Sequence, residues 1–162
     1  MFHLPRIGGV AALLLLLSPA LPARAADSVS ANDLQEIRAV FLRQAEAATA
    51  HDIEGIDAVL AQVVPGQPDP VSFVARAYTF WGREAVMEHF RAIFRGTWRF
   101  EPDRDGIRII PLGADTAHIF APTRITLDVR GAPATVPFLM EEMAIRTPAG
   151  WRIATIIPVP AP

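Results

Sequence analysis

The chain has 162 residues, 15 basic and 17 acidic side chains, a formal charge of −2 and no cysteine. The missing thiol excludes disulfides, thiolate nucleophiles, thiolate metal sites and a lipidated cysteine, and because every basic residue is arginine, Schiff-base and lysine-base chemistry are excluded as well. A weakly acidic balance also argues against a nucleic-acid partner, whose phosphates demand a basic surface.

The first 25 residues read as an export signal. Arg6 supplies positive charge, residues 7–17 form an apolar core, Pro19 and Pro22 break any helix, and Ala23-Arg24-Ala25 offers a small-x-small cleavage site. The apolar run is shorter than the ~20 residues that span a bilayer. Cleavage after Ala25 leaves residues 26–162, a length expected to form one domain. Loss of Arg6 and Arg24 moves the formal charge from −2 to −4. The expected location is the bacterial periplasm or the medium, with no membrane association after cleavage.

Ser30 is placed to cap a first helix, with Asp33 three residues on in a variant of the capping box. Leu34, Ile37, Phe41, Ala45 and Ala48 follow at helical spacing to about Ala50. Asp52 can cap a second, shorter helix in which Ile53, Ile56, Val59 and Leu60 share a face. Pro65, Pro68 and Pro70 end it in a rigid loop. Residues 71–80 are rich in β-branched and aromatic side chains and read as one extended segment. Gly82 opens a third helix whose buried face is Val86, Phe90, Ile93 and Phe94, and Gly96 stops it. From Thr97 the period changes to two, with strands expected near 97–103, 106–112, 115–129, 134–147 and 151–158 and a turn at Gly131-Ala132-Pro133. On the third of these strands Ala117, Ile119, Ala121, Thr123, Ile125 and Leu127 share one face, while His118, Phe120, Arg124, Thr126 and Asp128 share the other. Consecutive strands with short turns predict an α+β domain: three helices from the N-terminal half, packed on a strongly curved antiparallel sheet.

His51-Asp52 opening the second helix, Gly82-Arg83-Glu84-Ala85 opening the third, the turn-and-strand Gly113 to Ala117 and the terminal Gly150-Trp151-Arg152-Ile153-Ala154 carry a resemblance. In this order the chain resembles the nuclear transport factor 2-like superfamily, and within it the SnoaL-type group that includes polyketide cyclases and ketosteroid isomerases. The resemblance implies a cone-shaped fold with a pocket at its wide end, and a homodimer through the convex sheet face. It does not fix an activity, because this scaffold serves enzymes, binding domains and assembly modules alike.

Glu141 and Glu142 stand together in an apolar strand, so one of them is expected to face inward. Counted back from Gly150, Glu142 matches the oxyanion-stabilising acid of ketosteroid isomerases. It could serve there as a neutral hydrogen-bond donor, or pair with Arg124, Arg146 or Arg152 in an ordinary ion pair. The isomerase resemblance breaks at the general base, where Phe73 stands, and at the first-helix tyrosine, which is absent. His89, on the edge of the third helix's apolar face, is the remaining candidate base; His118 belongs to the outer strand face. Thr155-Ile156-Ile157-Pro158 stands where catalytic members of the superfamily often carry a His or Asn. The histidines have no metal-ligand spacing, no nucleophilic constellation is visible, and no cofactor is indicated. Tyr78, Trp81 and Trp98 are expected at the pocket mouth, giving Tyr78, Trp81, Trp98, Glu142 and Arg146 as the candidate ligand-binding set. The reading these residues favour is binding of a small, largely apolar molecule without catalysis. The alternatives are a cyclase, isomerase or hydratase using Glu142 as acid, and a dimeric protein-association module.

Overall fold

The computed structural model describes residues 29–161. The expected export signal at 1–25 lies outside the described residues.

Helix α1 runs Ala31–Ala50 and starts where local chemistry requires. The Ser30 hydroxyl accepts from the Asp33 N–H at 3.1 Å, and the Asp33 carboxylate accepts from the Ser30 N–H at 2.9 Å, a complete capping box. At its other end His51 adopts left-handed φ 56°, and Asp52 immediately caps α2, Ile53–Val59, through the Gly55 N–H. The apolar stripe of α1, Ile37, Val40, Phe41, Ala45 and Ala48, is buried against the sheet.

The extended segment expected at 71–80 is two short strands, β1 (Ser72–Ala75) and β2 (Tyr78–Trp81), turning at Arg76-Ala77. Helix α3, Arg83–Ile93, begins at Gly82 (φ 88°), which has no side chain to cap it. Asp69 does so from the proline-rich loop, accepting from the Arg83 N–H at 2.7 Å and the Val71 N–H at 2.9 Å. Strands β3 (Trp98–Pro102), β4 (Arg108–Pro111), β5 (Thr116–Val129), β6 (Ala132–Thr147) and β7 (Gly150–Pro160) follow. The β5–β6 turn falls on Arg130-Gly131, both at positive φ (53° and 87°), the type I′ geometry that suits the twist of a two-residue hairpin. Ala132 and Pro133, expected in that turn, belong to β6.

The three helices pack on one curved, open seven-stranded sheet ordered β2-β1-β7-β6-β5-β3, with β4 also paired to β5. It is mostly antiparallel rather than wholly so. β1 runs parallel to β7 (Ser72 opposite Thr155, Phe73 opposite Ile156), and Leu60 makes a further parallel bridge to Ile153. The chain leaving α2 is laid along β7 by the Ala61 N–H bond to the Ile153 carbonyl, 2.8 Å, and so enters β1 in the parallel sense. The inner sheet face supplies Phe73, Phe100, Ala117, Ile119, Ala121, Ile125, Met140, Ala144 and Ile156 to the core. No helix among the described residues is long and apolar enough to cross a membrane.

Candidate functional site

Strand alternation separates the two adjacent carboxylates. Glu141 faces outward and contacts His118, while Glu142 is 0% exposed on the inner face, opposite Ile119 on β5 and Ile156 on β7. Glu142 pairs with no arginine. Its Oε1 accepts one hydrogen bond from the Gln44 amide of α1, at 3.0 Å. Complete burial pushes its pKa from the usual 4.5 up to about 8, opposed only by the Gln44 bond, which favours the neutral carboxyl near pH 7.

Gln44 also lines an apolar cavity between α1, α3 and the inner sheet face. Its walls are the rings of Phe73, Phe90, Trp98 and Phe100, with Ala48, Ile125, Met140, Ile156 and Pro158. The cavity has a gross volume of about 320 Å³, solvent at its mouth included, and a water-accessible volume of about 20 Å³. Larger hollows, such as one with a water-accessible volume of about 420 Å³ between α1 and β3, are open surface grooves bordered by charged side chains. Glu142 lies behind the cavity, two residues along β6 from Met140 and joined to it through Gln44. Trp98 and Phe100 are held toward it because α1 fastens the edge of β3. The Thr49 hydroxyl donates to the Phe100 carbonyl (3.0 Å) and accepts its N–H (2.9 Å), and a His51 ring nitrogen meets the Trp98 carbonyl at 3.0 Å.

Three polar atoms here are buried without a protein hydrogen-bond partner: Gln44 Oε1, Trp98 Nε1 and Glu142 Oε2. Such atoms are rare in folded proteins; two of the three, on Gln44 and Trp98, belong to residues that line the cavity, which makes it the candidate site.

Other residues of the candidate set lie elsewhere. Trp81 is 71% exposed: Phe80 pairs with Phe73 and faces inward, so its neighbour Trp81 faces out. Tyr78 stacks on Phe73 at 6.4 Å and is half exposed, outside the cavity wall. Arg146 is a structural residue. It donates to Asp33 at 2.8 Å and to Asp115 at 3.1 Å and lies 4.7 Å over the Trp151 ring; four residues of extended β6 separate it from Glu142, roughly 13 Å. His89 is packed in an aromatic box, 4.5 Å from both Phe73 and Phe80, and burial lowers its pKa. Phe73 both contacts His89 and lines the cavity, whereas His89 itself is not among the lining residues. Gln44 was not among the expected residues, although its spacing, three after Phe41 and four before Ala48, sets it on the apolar stripe of α1.

The profile of the SnoaL-like domain matches residues 37–156, most of the chain. The chain belongs to the SnoaL-like family. A search of curated proteins gave no significant match. Among solved structures, this SnoaL-like domain is similar to a candidate dehydratase of the NTF2-like family from Streptomyces avermitilis, at 20% identity and TM-score 0.67, over 80% of this chain and 97% of that one. It is also similar to an NTF2-like protein with a cystatin-like fold from Novosphingobium aromaticivorans, at 19% identity and TM-score 0.61, over 80% and 82%. A ketosteroid isomerase-like protein from Erwinia carotovora atroseptica aligns at 16% identity and TM-score 0.64, over 82% and 100%. At these identities the SnoaL-like domain shares a fold with the three proteins, and the chemistry has to be read from the cavity itself.

Proposed function

We propose that this SnoaL-like protein is an exported binding protein that takes a small, largely apolar molecule into the cavity bounded by Phe73, Phe90, Trp98 and Phe100. The observation that carries this reading is the pairing of an aromatic-walled cavity with a buried, neutral carboxyl and three unpartnered polar atoms. Export rests on the 1–25 segment. A homodimer through the outer sheet face is part of the proposal, supported by the apolar side chains that alternate with the core there. Ile110 is 48% exposed and Val159 40% exposed, while Phe120, Met143 and Ile157 are half-buried around the His118–Glu141 pair.

Binding is tested by following backbone and indole N–H resonances while a single-ring apolar probe is added. Saturable shifts at Trp98 Nε1, Gln44 and Met140 are expected. Shifts confined to the outer sheet face, or none at the solubility limit of the probe, would refute it.

One observation favours a second reading, an acid–base enzyme of the isomerase, cyclase or hydratase kind: the pKa of Glu142 near 8 suits a general acid at neutral pH. Such an enzyme also needs a base at the same centre, and His89, turned into its aromatic box, does not supply one.

A further inference from the structure

Strand register carries one continuous row across the outer sheet face. Trp81 stands opposite Ser72, Ser72 opposite Thr155, Thr155 opposite Met143, Met143 opposite His118, and His118 opposite Ile110. In the next row Ile157, Glu141 and Phe120 lie side by side. Resting on the homodimer reading above and deepening it, we propose that two copies meet on this face around the His118–Glu141 pair. Their association takes up a proton at each His118, so the dimer tightens as the medium turns mildly acidic.

The face is apolar except at its centre. Trp81 is 71% exposed and Ile110 48%, and Phe120, Met143 and Ile157 are half-buried. The polar side chains of the row are spent on each other, the Ser72 hydroxyl donating to Thr155 Oγ1 at 3.1 Å. Into this setting β5 places His118 and β6 places Glu141, in contact through Nε2 and Oε2. The other charged groups of the surrounding strands are directed elsewhere or stand at the rim. Glu142 is buried on the inner face, and Arg146 is held by Asp33 and Asp115. Arg152 lines a groove with Arg43 and Glu46 beside α1. Asp128 accepts from the Thr97 N–H at 3.0 Å, and Arg99 and Glu101 of β3 pair with each other at 3.2 Å. Arg108, opposite Phe120, and Arg124, opposite Pro137, are exposed and can stay in water. β1 brings no titratable side chain, and β2 only Tyr78, stacked on Phe73.

A second copy is the occupant this chemistry fits. An acid and a base side by side are self-complementary, since a twofold axis near the pair sets each copy's base against its mate's acid. The extent is sufficient too. Strands β7, β6 and β5 are 11, 16 and 14 residues long, with β3 and β4 along the free side of β5. At roughly 3.3 Å per residue and 4.8 Å between strands, such a face is on the order of 800 Å², what each partner buries in a standard interface. The sign of the proton effect follows from desolvation. With His118 neutral, closing the face strips water from the Glu141 anion and offers it no countercharge. With His118 protonated the pair is neutral overall, and removal of water strengthens the attraction. Protonation and association therefore favour each other, over the range of about pH 5–8 in which histidine changes charge.

The test is sedimentation equilibrium of the purified protein between pH 5.5 and 8.5 at fixed salt. The dimer Kd is expected to be at least about tenfold lower at pH 5.5 than at pH 8.5. His118→Gln keeps an N–H for Glu141 but cannot titrate, and its Kd should vary by less than about twofold over the same range. Glu141→Gln should turn the dependence around, with the tighter dimer at pH 8.5, because closure would then bury an unpaired imidazolium. A Kd that is the same at both ends of the range, or a pH dependence that survives in His118→Gln, would overturn the proton link and leave the dimer standing. A protein that stays monomeric at every pH would remove the dimer reading as well, with ligand binding in the cavity untouched.

Discussion

Two buried carboxylates, one at each end of the helix–sheet interface, behave in opposite ways. Asp33 is surrounded by donors: the Ser30 backbone and hydroxyl, the Arg146 guanidinium and the Trp151 indole at 3.0 Å. These hold its pKa far below the ordinary carboxylate range. Glu142 has a single neutral partner and a pKa pushed up to about 8. The first end is a saturated network, which locks α1 to β6 and β7. The second makes a single hydrogen bond, between Gln44 and Glu142. The dense donor set at Asp33 lowers a carboxyl pKa, and sparse hydrogen bonding in an apolar setting raises that of Glu142.

The largest expected effect lies at the saturated end. Trp151 is fully buried, so Trp151→Ala should reduce unfolding free energy by about 3–5 kcal/mol in chemical denaturation. A loss under about 1 kcal/mol would mean that this end does not organise the fold. At the other end the double variant Glu142→Leu/Gln44→Leu, which removes both partners of the one buried hydrogen bond together, should change stability by less than about 1 kcal/mol at pH 7. A destabilisation matching that of Trp151→Ala would erase the contrast between the two ends.

The pH dependence separates them by sign. The raised pKa of Glu142 means that the folded state retains a proton the unfolded chain releases between about pH 4.5 and 8. That contribution is fully present below about 4.5, declines as pH rises to about 8, and should be missing from Glu142→Gln. The lowered pKa of Asp33 works in reverse, stabilising above its unfolded value near 3.8 and weakening as pH falls below it; Asp33→Asn should flatten the acid limb. Denaturation midpoints of the three proteins across pH 3–9 check both. A variant that flattens the other's limb would show the roles to be exchanged.

Much of the fold was legible because its signals are local. The Ser30–Asp33 box, the Asp52 cap and the two-residue period of β5 each depend on neighbours in sequence, and each stands in the structure as expected. Helix α3 buries Val86 and Phe90 of its expected stripe, leaves Ile93 and Phe94 half-buried, and buries Met87 and His89 instead. The parallel β1–β7 pairing was not legible, because it is set by a bond between Ala61 and Ile153, far apart in sequence. Nor was the break at Arg76-Ala77, a pair with none of the usual turn residues. At the site, period-two counting separated Glu142 from Glu141 in kind, and the inward one is Glu142. The same counting carried across β2 sends Trp81 outward, while Trp98, on a strand edge tied down by Thr49 and His51, faces in. Gln44 could have been found as the polar residue on an apolar helical stripe. The pairing of Arg146 with Asp33 depends on α1 and β6 meeting, which no local pattern announces.

The central claim is that Glu142 is a neutral acid beside an apolar cavity, and its carboxyl carbon reports this directly. A ¹³C NMR titration of Glu142 Cδ, assigned by comparison with Glu142→Gln, should give a midpoint near 8. A midpoint near the ordinary 4.5 would mean that the carboxyl is solvated or ion-paired, and the account of the site would be wrong.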